Sequence, residues 1–230
     1  MSDFKNIAVI TGVIDEADAF LPDHPSKVTN TPLAPVRQVE HAGKQIAILC
    51  PGIGKVHAAA ATMHLYNSFA PDLFLIIGTA GQVSNLEGNC FYLHEALQAD
   101  YGTLENSNGH HGFTHYNAGT WPMGPSNWMP FQSHPIPESL NLPKARIATA
   151  DMFVKCPDRS TYLRDVLKTD LVDMETAALA QMAKLLNVPW AGIKATTDNA
   201  NGESSGDFHT NLEVAAKRAA DAATEFLTLI

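Results

Sequence analysis

The chain has 230 residues, of which 45% are hydrophobic and 17% charged, with a formal net charge of −9. That composition can bury one sizeable α/β core and is too apolar for a disordered chain. The acidic balance, with no Lys/Arg-rich face, argues against a nucleic-acid partner.

In chain order, residues 6–11 (NIAVIT) read as a buried strand. The apolar run before Gly12 is too short for a signal peptide or a membrane span. A helix is expected over 15–21, with Asp15 as its N-cap. Residues 44–50 (KQIAILC) form a second strand, followed by the turn PGIGK and an Ala-rich helix over 57–69. Residues 72–79 (DLFLIIGT) form a third strand, almost wholly apolar, as suits a strand covered on both faces. Further strands are expected over 91–97, 146–150, 171–174 and 190–196, with helices over 176–186 and 208–230. Asn187 suits the end of the first of these helices and Pro189 stops it. The alternation implies an α/β fold with helices on both faces of a mostly parallel sheet. No repeat or linker divides the chain, so a single domain over 1–230 is expected. Residues 101–144, rich in Pro, Gly, His and Asn, read as an irregular flap or subunit contact. Cys50, Cys90 and Cys156 are far apart with no CxxC pair, which fits a reducing, cytoplasmic setting.

The residues able to carry chemistry fall at strand ends, where α/β sheets bind ligands. The loop Gly52-Ile53-Gly54-Lys55 follows a strand and opens a helix. Its N–H groups can face an anion, or it can be a tight turn for close packing. As a dinucleotide fingerprint it is incomplete, because His57 stands at the third glycine position. Thr79-Ala80-Gly81 ends the third strand. Glu175 lies where a short strand becomes a helix, and Asp198 lies beyond the end of the next strand. Each carboxylate taken alone can be a helix cap or a turn residue. Together they can converge on one small molecule, and Glu16 adds a third acid just past the first strand. His110, His111 and His115 lack HExxH or any other metal-ligand spacing, and read as solvated loop histidines with no metal site.

Three stretches carry a resemblance: GIGKVHAAAATMHLY, DLFLIIGTAGQV and VDMETAALAQMAKLLNVPWAGIKATTDNAN. They resemble the nucleoside phosphorylase/nucleosidase superfamily, and most closely its 5′-methylthioadenosine/S-adenosylhomocysteine nucleosidases. The similarity spans nearly the whole chain and is weakest over 92–143. It implies a three-layer α/β/α sandwich around a twisted mixed sheet, and a homodimer. It also implies hydrolysis of adenine from a 5′-substituted adenosine, with no cofactor or metal. Position by position, Glu16 would activate the water, Asp198 would protonate adenine at N7, and Glu175 would hold the ribose hydroxyls with Met174 packed on the sugar. Phe153 would stack on the purine, and the Val154 backbone would bond its edge. Thr79, Ala80 and Gly81 would line the base and ribose site, and Ile53, Val13 and Phe208 would face the 5′ group. Lys194 stands where the resembled nucleosidases carry an arginine.

These roles suit the chemistry. Glycosidic cleavage passes through an oxocarbenium-like state, adenine needs a proton to leave, and water needs a base. Phosphorylase relatives hold phosphate with arginines near the first Gly loop and the third strand; this chain has none in ITGVIDEADAF or DLFLIIGTAG, which favours water over phosphate. A purine nucleoside phosphorylase, a hydrolase of another purine nucleoside, and a purine-binding module without turnover are the alternatives.

Overall fold

The computed structural model describes residues 4–107, 110–124, 128–200 and 204–230. The elements run β1 (Asn6–Ile10), α1 (Ile14–Ala19), β2 (Ser26–Thr29), β3 (Val36–His41), β4 (Lys44–Leu49) and α2 (Lys55–Phe69). Next come β5 (Leu73–Gln82), β6 (Cys90–Gln98), β7 (Gly102–Ser107), β8 (His110–His115), β9 (Phe131–Gln132) and β10 (Lys144–Thr149). The chain closes with α3 (Pro157–Asp165), β11 (Leu171–Asp173), α4 (Thr176–Leu186), β12 (Trp190–Asp198) and α5 (Ser204–Leu229).

The main sheet is mixed, in the order β11-β10-β6-β12-β5-β1-β4-β3-β2. β4, β1, β5 and β12 run parallel, whereas β6 lies antiparallel to β12. β5 pairs with β12 along nearly its whole length and is long enough to take two further neighbours: Leu73 to Ile76 pair with β1, while Gly81 and Gln82 pair antiparallel with β11. That second pairing closes β5, β12, β6, β10 and β11 into a ring. The ends of β5, β11 and β12 therefore meet at one rim.

Alternation along the strands divides the core between two faces. Ile7, Val9, Leu75 and Ile77 pack with Ala215, Ala219 and Phe226 of α5 and with Ala17 of α1. Ala8, Ile10, Phe74 and Ile76 pack with Ala61 and Leu65 of α2 and Leu179 and Ala180 of α4. The result is the three-layer α/β/α sandwich with a mixed central sheet that the sequence implied. Among the described residues no helix is long and apolar enough to cross a membrane.

Several local expectations change. Val13, not Asp15, occupies the N-cap position of α1, and Asp15 lies in its first turn. α2 starts at Lys55, β12 extends to Asp198, and α5 starts at Ser204. The strands β2 and β3 and the helix α3 have no counterpart in the sequence reading. β2 (SKVT) is exposed at every position, and α3 (PDRSTYLRD) is mostly polar, so neither carries a periodic apolar signal. Asn187 does end α4, in the left-handed region at φ 55°, with its N–H on the carbonyls of Ala183 and Lys184. The stretch 101–144 is less irregular than expected. It holds the β7–β8 hairpin, a two-stranded sheet of its own, and β9, which pairs with β6. His115 on β8 is buried, not solvated: it packs on Phe113, Trp128 and Tyr162, and burial pushes its pKa down to about 4. The side chains of His110 and His111 lie outside the described residues.

Candidate active site

Glu16 is held by the turn that joins β1 to α1. The first N–H groups of a helix lack intrahelical acceptors, and Glu16 reaches back to supply one. Its Oε2 accepts from the N–H groups of Gly12 (2.9 Å) and Val13 (3.1 Å). Its Oε1 accepts from Thr79 on β5, through the N–H at 2.7 Å and the hydroxyl at 2.8 Å. The close approach to β5 requires a glycine at 78, where φ is +142° and an added Cβ would lie 2.4 Å from the Glu16 carboxyl carbon.

Glu175 sits at the N-cap position of α4 but does not cap it. That work falls to Asp173, whose carboxylate accepts from the Thr176 N–H at 3.1 Å and from the Thr149 hydroxyl at 2.6 Å. Freed from the cap, Glu175 turns to the α2 loop, and its Oε1 accepts from the Gly54 N–H at 2.9 Å. The next amide, Lys55 N–H, donates to Asp151 Oδ1 at 2.8 Å. The anions at this helix N-terminus are thus the chain's own carboxylates.

Asp198 ends β12 just past an irregularity in its pairing with β5, between Thr196 and Asp198. An irregularity of this kind re-aims a side chain. Asp198 Oδ1 accepts from the Ala200 N–H (2.8 Å) and Oδ2 from the Thr197 hydroxyl (2.8 Å). Beneath the site, Lys194 is fully buried, 3.3 Å from Asp173 Oδ2. Burial pulls Lys194 down, but Asp173, Glu16 and Glu175 outweigh it and hold its pKa above the ordinary lysine value.

Burial, and then the Asp173 charge, push the Glu175 pKa up to about 7; Lys194 and the Gly54 N–H oppose the rise, and Glu16 adds to it. The carboxyl is therefore poised near neutrality, a common property of functional groups.

Glu16, Glu175 and Asp198 line one cavity of about 280 Å³. Every other residue that the resemblance assigned lines it too. Thr79, Ala80 and Gly81 come from the end of β5, Val13 and Ile53 from the first two strand–helix turns, and Met174 from beside Glu175. Phe153 and Val154 come from the loop before α3, and Phe208 from α5. The rings of Phe153 and Phe208 meet edge to face at 5.8 Å. The sequence reading missed Asp173 and Thr197, next to residues it had chosen, and Met152, which precedes the chosen Phe153. It also missed His209, which no motif marks.

Among the described residues that line the cavity there is no arginine. Arg37 instead caps the carbonyl end of α1, donating to Ala17 O (2.9 Å), Leu21 O (3.1 Å) and Phe20 O. Arg146 pairs with Glu95, and Arg159 donates to Ala99 O at 2.9 Å.

The phosphorylase superfamily model matches residues 6–228. A 5′-methylthioadenosine/S-adenosylhomocysteine nucleosidase of Bacillus licheniformis is 32% identical over 195 residues, 79% of this chain and 80% of that one. A nucleosidase of the same name from S. pneumoniae, solved with the transition-state inhibitor MT-ImmA, has a TM-score of 0.83 and 26% identity, covering 97% of this chain and 99% of that one. A futalosine hydrolase mutant of Helicobacter pylori strain 26695 has a TM-score of 0.81 at 21% identity, covering 98% and 100%, a likeness of fold. The chain belongs to the phosphorylase superfamily and is an enzyme of its nucleosidase kind, an N-glycosyl hydrolase.

Proposed function

We propose that this enzyme hydrolyses the N-glycosidic bond of 5′-substituted adenosines, 5′-methylthioadenosine and S-adenosylhomocysteine among them, and releases adenine. The observation that carries the reading is the convergence of Glu16, Glu175 and Asp198, buried carboxylates from three separate elements, with Asp173 beside Glu175, on one largely apolar cavity.

Each carboxylate suits a different step. Glu16 activates the water. Of its four donors only the Thr79 hydroxyl can rotate away, so Oε1 is the oxygen that receives the water's proton. Asp198 delivers a proton to adenine N7 as the bond to the sugar breaks, so the base leaves neutral. Glu175 accepts from the ribose hydroxyls and fixes the ring while positive charge grows on it. Phe153 stacks on the purine, the Val154 backbone bonds its edge, and Thr79, Ala80, Gly81 and Met174 wall the base and sugar. Val13, Ile53 and Phe208 give the 5′ side an apolar surface that suits a thioether. Water as the nucleophile is supported by the described lining residues, which offer no guanidinium for a phosphate.

The enzyme works as a homodimer of single-domain subunits in a reducing, cytoplasmic setting. Leu104 on β7 and Trp121, Met123 and Met129 between β8 and β9, all exposed, support an interface there.

The test is product chromatography after incubation with 5′-methylthioadenosine, with and without phosphate. Adenine and methylthioribose in both incubations is the expected result. Products only with phosphate would make the enzyme a phosphorylase. Adenine from none of a panel of 5′-substituted adenosines would remove the substrate class.

A further inference from the structure

We infer that Lys55 is a positioning residue: it clasps the loop at 150–155 and sets the purine-side wall of the cavity relative to Glu175. The inference rests on the functional reading above, in which Phe153 and Val154 of this loop meet the base.

Residues 151–156 belong to no helix or strand. Met152 and Phe153 are each 47% exposed, so burial does little to hold them, and only Val154 is tucked in. Polar ties must fix the loop, and two of them lead to or through Lys55. Its backbone N–H donates to Asp151 Oδ1 at 2.8 Å. Its ammonium lies 2.7 Å from Asp100 Oδ1, 3.2 Å from Gln98 Oε1 and 4.0 Å from Asp151 Oδ2. Asp100 in turn accepts from the Asp151 N–H at 3.1 Å. The ammonium thus sits between two carboxylates that would otherwise face each other unscreened. An isolated half-exposed pair contributes little, but here one cation closes a network with several partners.

The geometry also couples the two sides of the substrate. The amides of Gly54 and Lys55 are consecutive; the first holds the sugar-side Glu175 and the second holds Asp151 at the start of the purine-side loop. Lys55 and Asp100 do not line the cavity, so the clasp acts through the loop and not on the reacting atoms. The consequence is specific: loosening the clasp weakens purine binding, while the acid and base of the reaction stay in place.

The test is calorimetric titration of adenine, with kcat and KM for 5′-methylthioadenosine, on the intact enzyme and on Lys55→Met, Lys55→Arg and Asp100→Asn. Lys55→Met should weaken adenine binding about tenfold, the scale of one charge-assisted hydrogen bond. It should raise KM by a similar factor and leave kcat little changed. Lys55→Arg should restore most of the affinity, which a merely structural lesion would not show. If Lys55→Met does not fold, Asp100→Asn decides: weaker adenine binding supports the clasp, and unchanged binding overturns it. A loss of kcat at constant KM in Lys55→Met also overturns it. An unmodified enzyme that neither binds adenine nor hydrolyses the nucleoside overturns the functional reading and the clasp with it. An enzyme that does both, matched by Lys55→Met, overturns the clasp alone.

Discussion

At Glu175, burial and the neighbouring Asp173 push the pKa up to about 7, against the pull of Lys194 and the Gly54 N–H. In the unfolded chain the same carboxyl returns to the ordinary range near 4.5. The folded state therefore binds the proton more tightly, and its charged form costs stability. Folding stability from this group is highest below the unfolded value and falls as pH rises through the folded one. Glu175→Gln should melt higher than the unmodified enzyme well above neutrality, by up to about 3 kcal/mol in stability. The two should melt alike in acid, and thermal denaturation without ligand at both pH values checks this. Function should run the other way: in the role proposed for Glu175 the ribose hydroxyls need the charged acceptor, so KM should rise as pH falls below about 7. The same profile should be flat in Glu175→Gln. For the acid and base the expected signature differs. Asp198→Asn and Glu16→Gln should each lower kcat about 10²- to 10⁴-fold with KM nearly unchanged. An Asp198→Asn enzyme with full turnover would remove Asp198 as the acid.

Among the elements, β5 does the most to assemble the site. It lends Thr79 to Glu16, and its end lies beside β11 and β12. Gly78 makes this possible, because any side chain there meets the Glu16 carboxyl and the backbone conformation is strained for other residues. Gly78→Ala should cost about 1–3 kcal/mol, which corresponds to a melting point lower by roughly 2–4 °C per kcal/mol. Hydrolysis should fall further than stability, because the displaced group is Glu16. An active Gly78→Ala enzyme with an unchanged melting point would show that α1 can move away without cost. The VDME turn divides its labour in a similar way: Asp173 takes the cap of α4, and Glu175 is left to face the cavity.

For the whole molecule, closure of β11 onto β5 brings three strand ends to one rim, and helices pack on both faces of the sheet behind it. The large apolar residues exposed from β7 to β9 suit a surface that a second subunit covers. Sedimentation should give twice the 24.8 kDa chain mass. Trp121→Asp, which places a charge on a side chain that is 78% exposed, should shift the enzyme toward monomer. A monomeric unmodified enzyme at micromolar concentration would remove the interface.

By itself the sequence determined the architecture and the positions of the carboxylates. Continuous apolar runs such as DLFLIIGT name buried strands, and acids that follow such runs lie at strand ends whatever the register. Elements without apolar periodicity stayed hidden. The edge strand β2, its neighbour β3, the polar helix α3 and the β7–β8 hairpin form through pairing and packing, to which a local pattern is blind. Tertiary structure alone decided which acids are free to act. Glu175 could have been a cap until Asp173 was found capping, and the loop at Gly54 could have faced an external anion until its amides were found on Glu175 and Asp151. The contacts of the Gly54 and Lys55 amides join residues more than ninety positions apart, which sequence spacing does not encode, and the choice of Asp173 over Glu175 as the cap depends on how that turn is held in the fold.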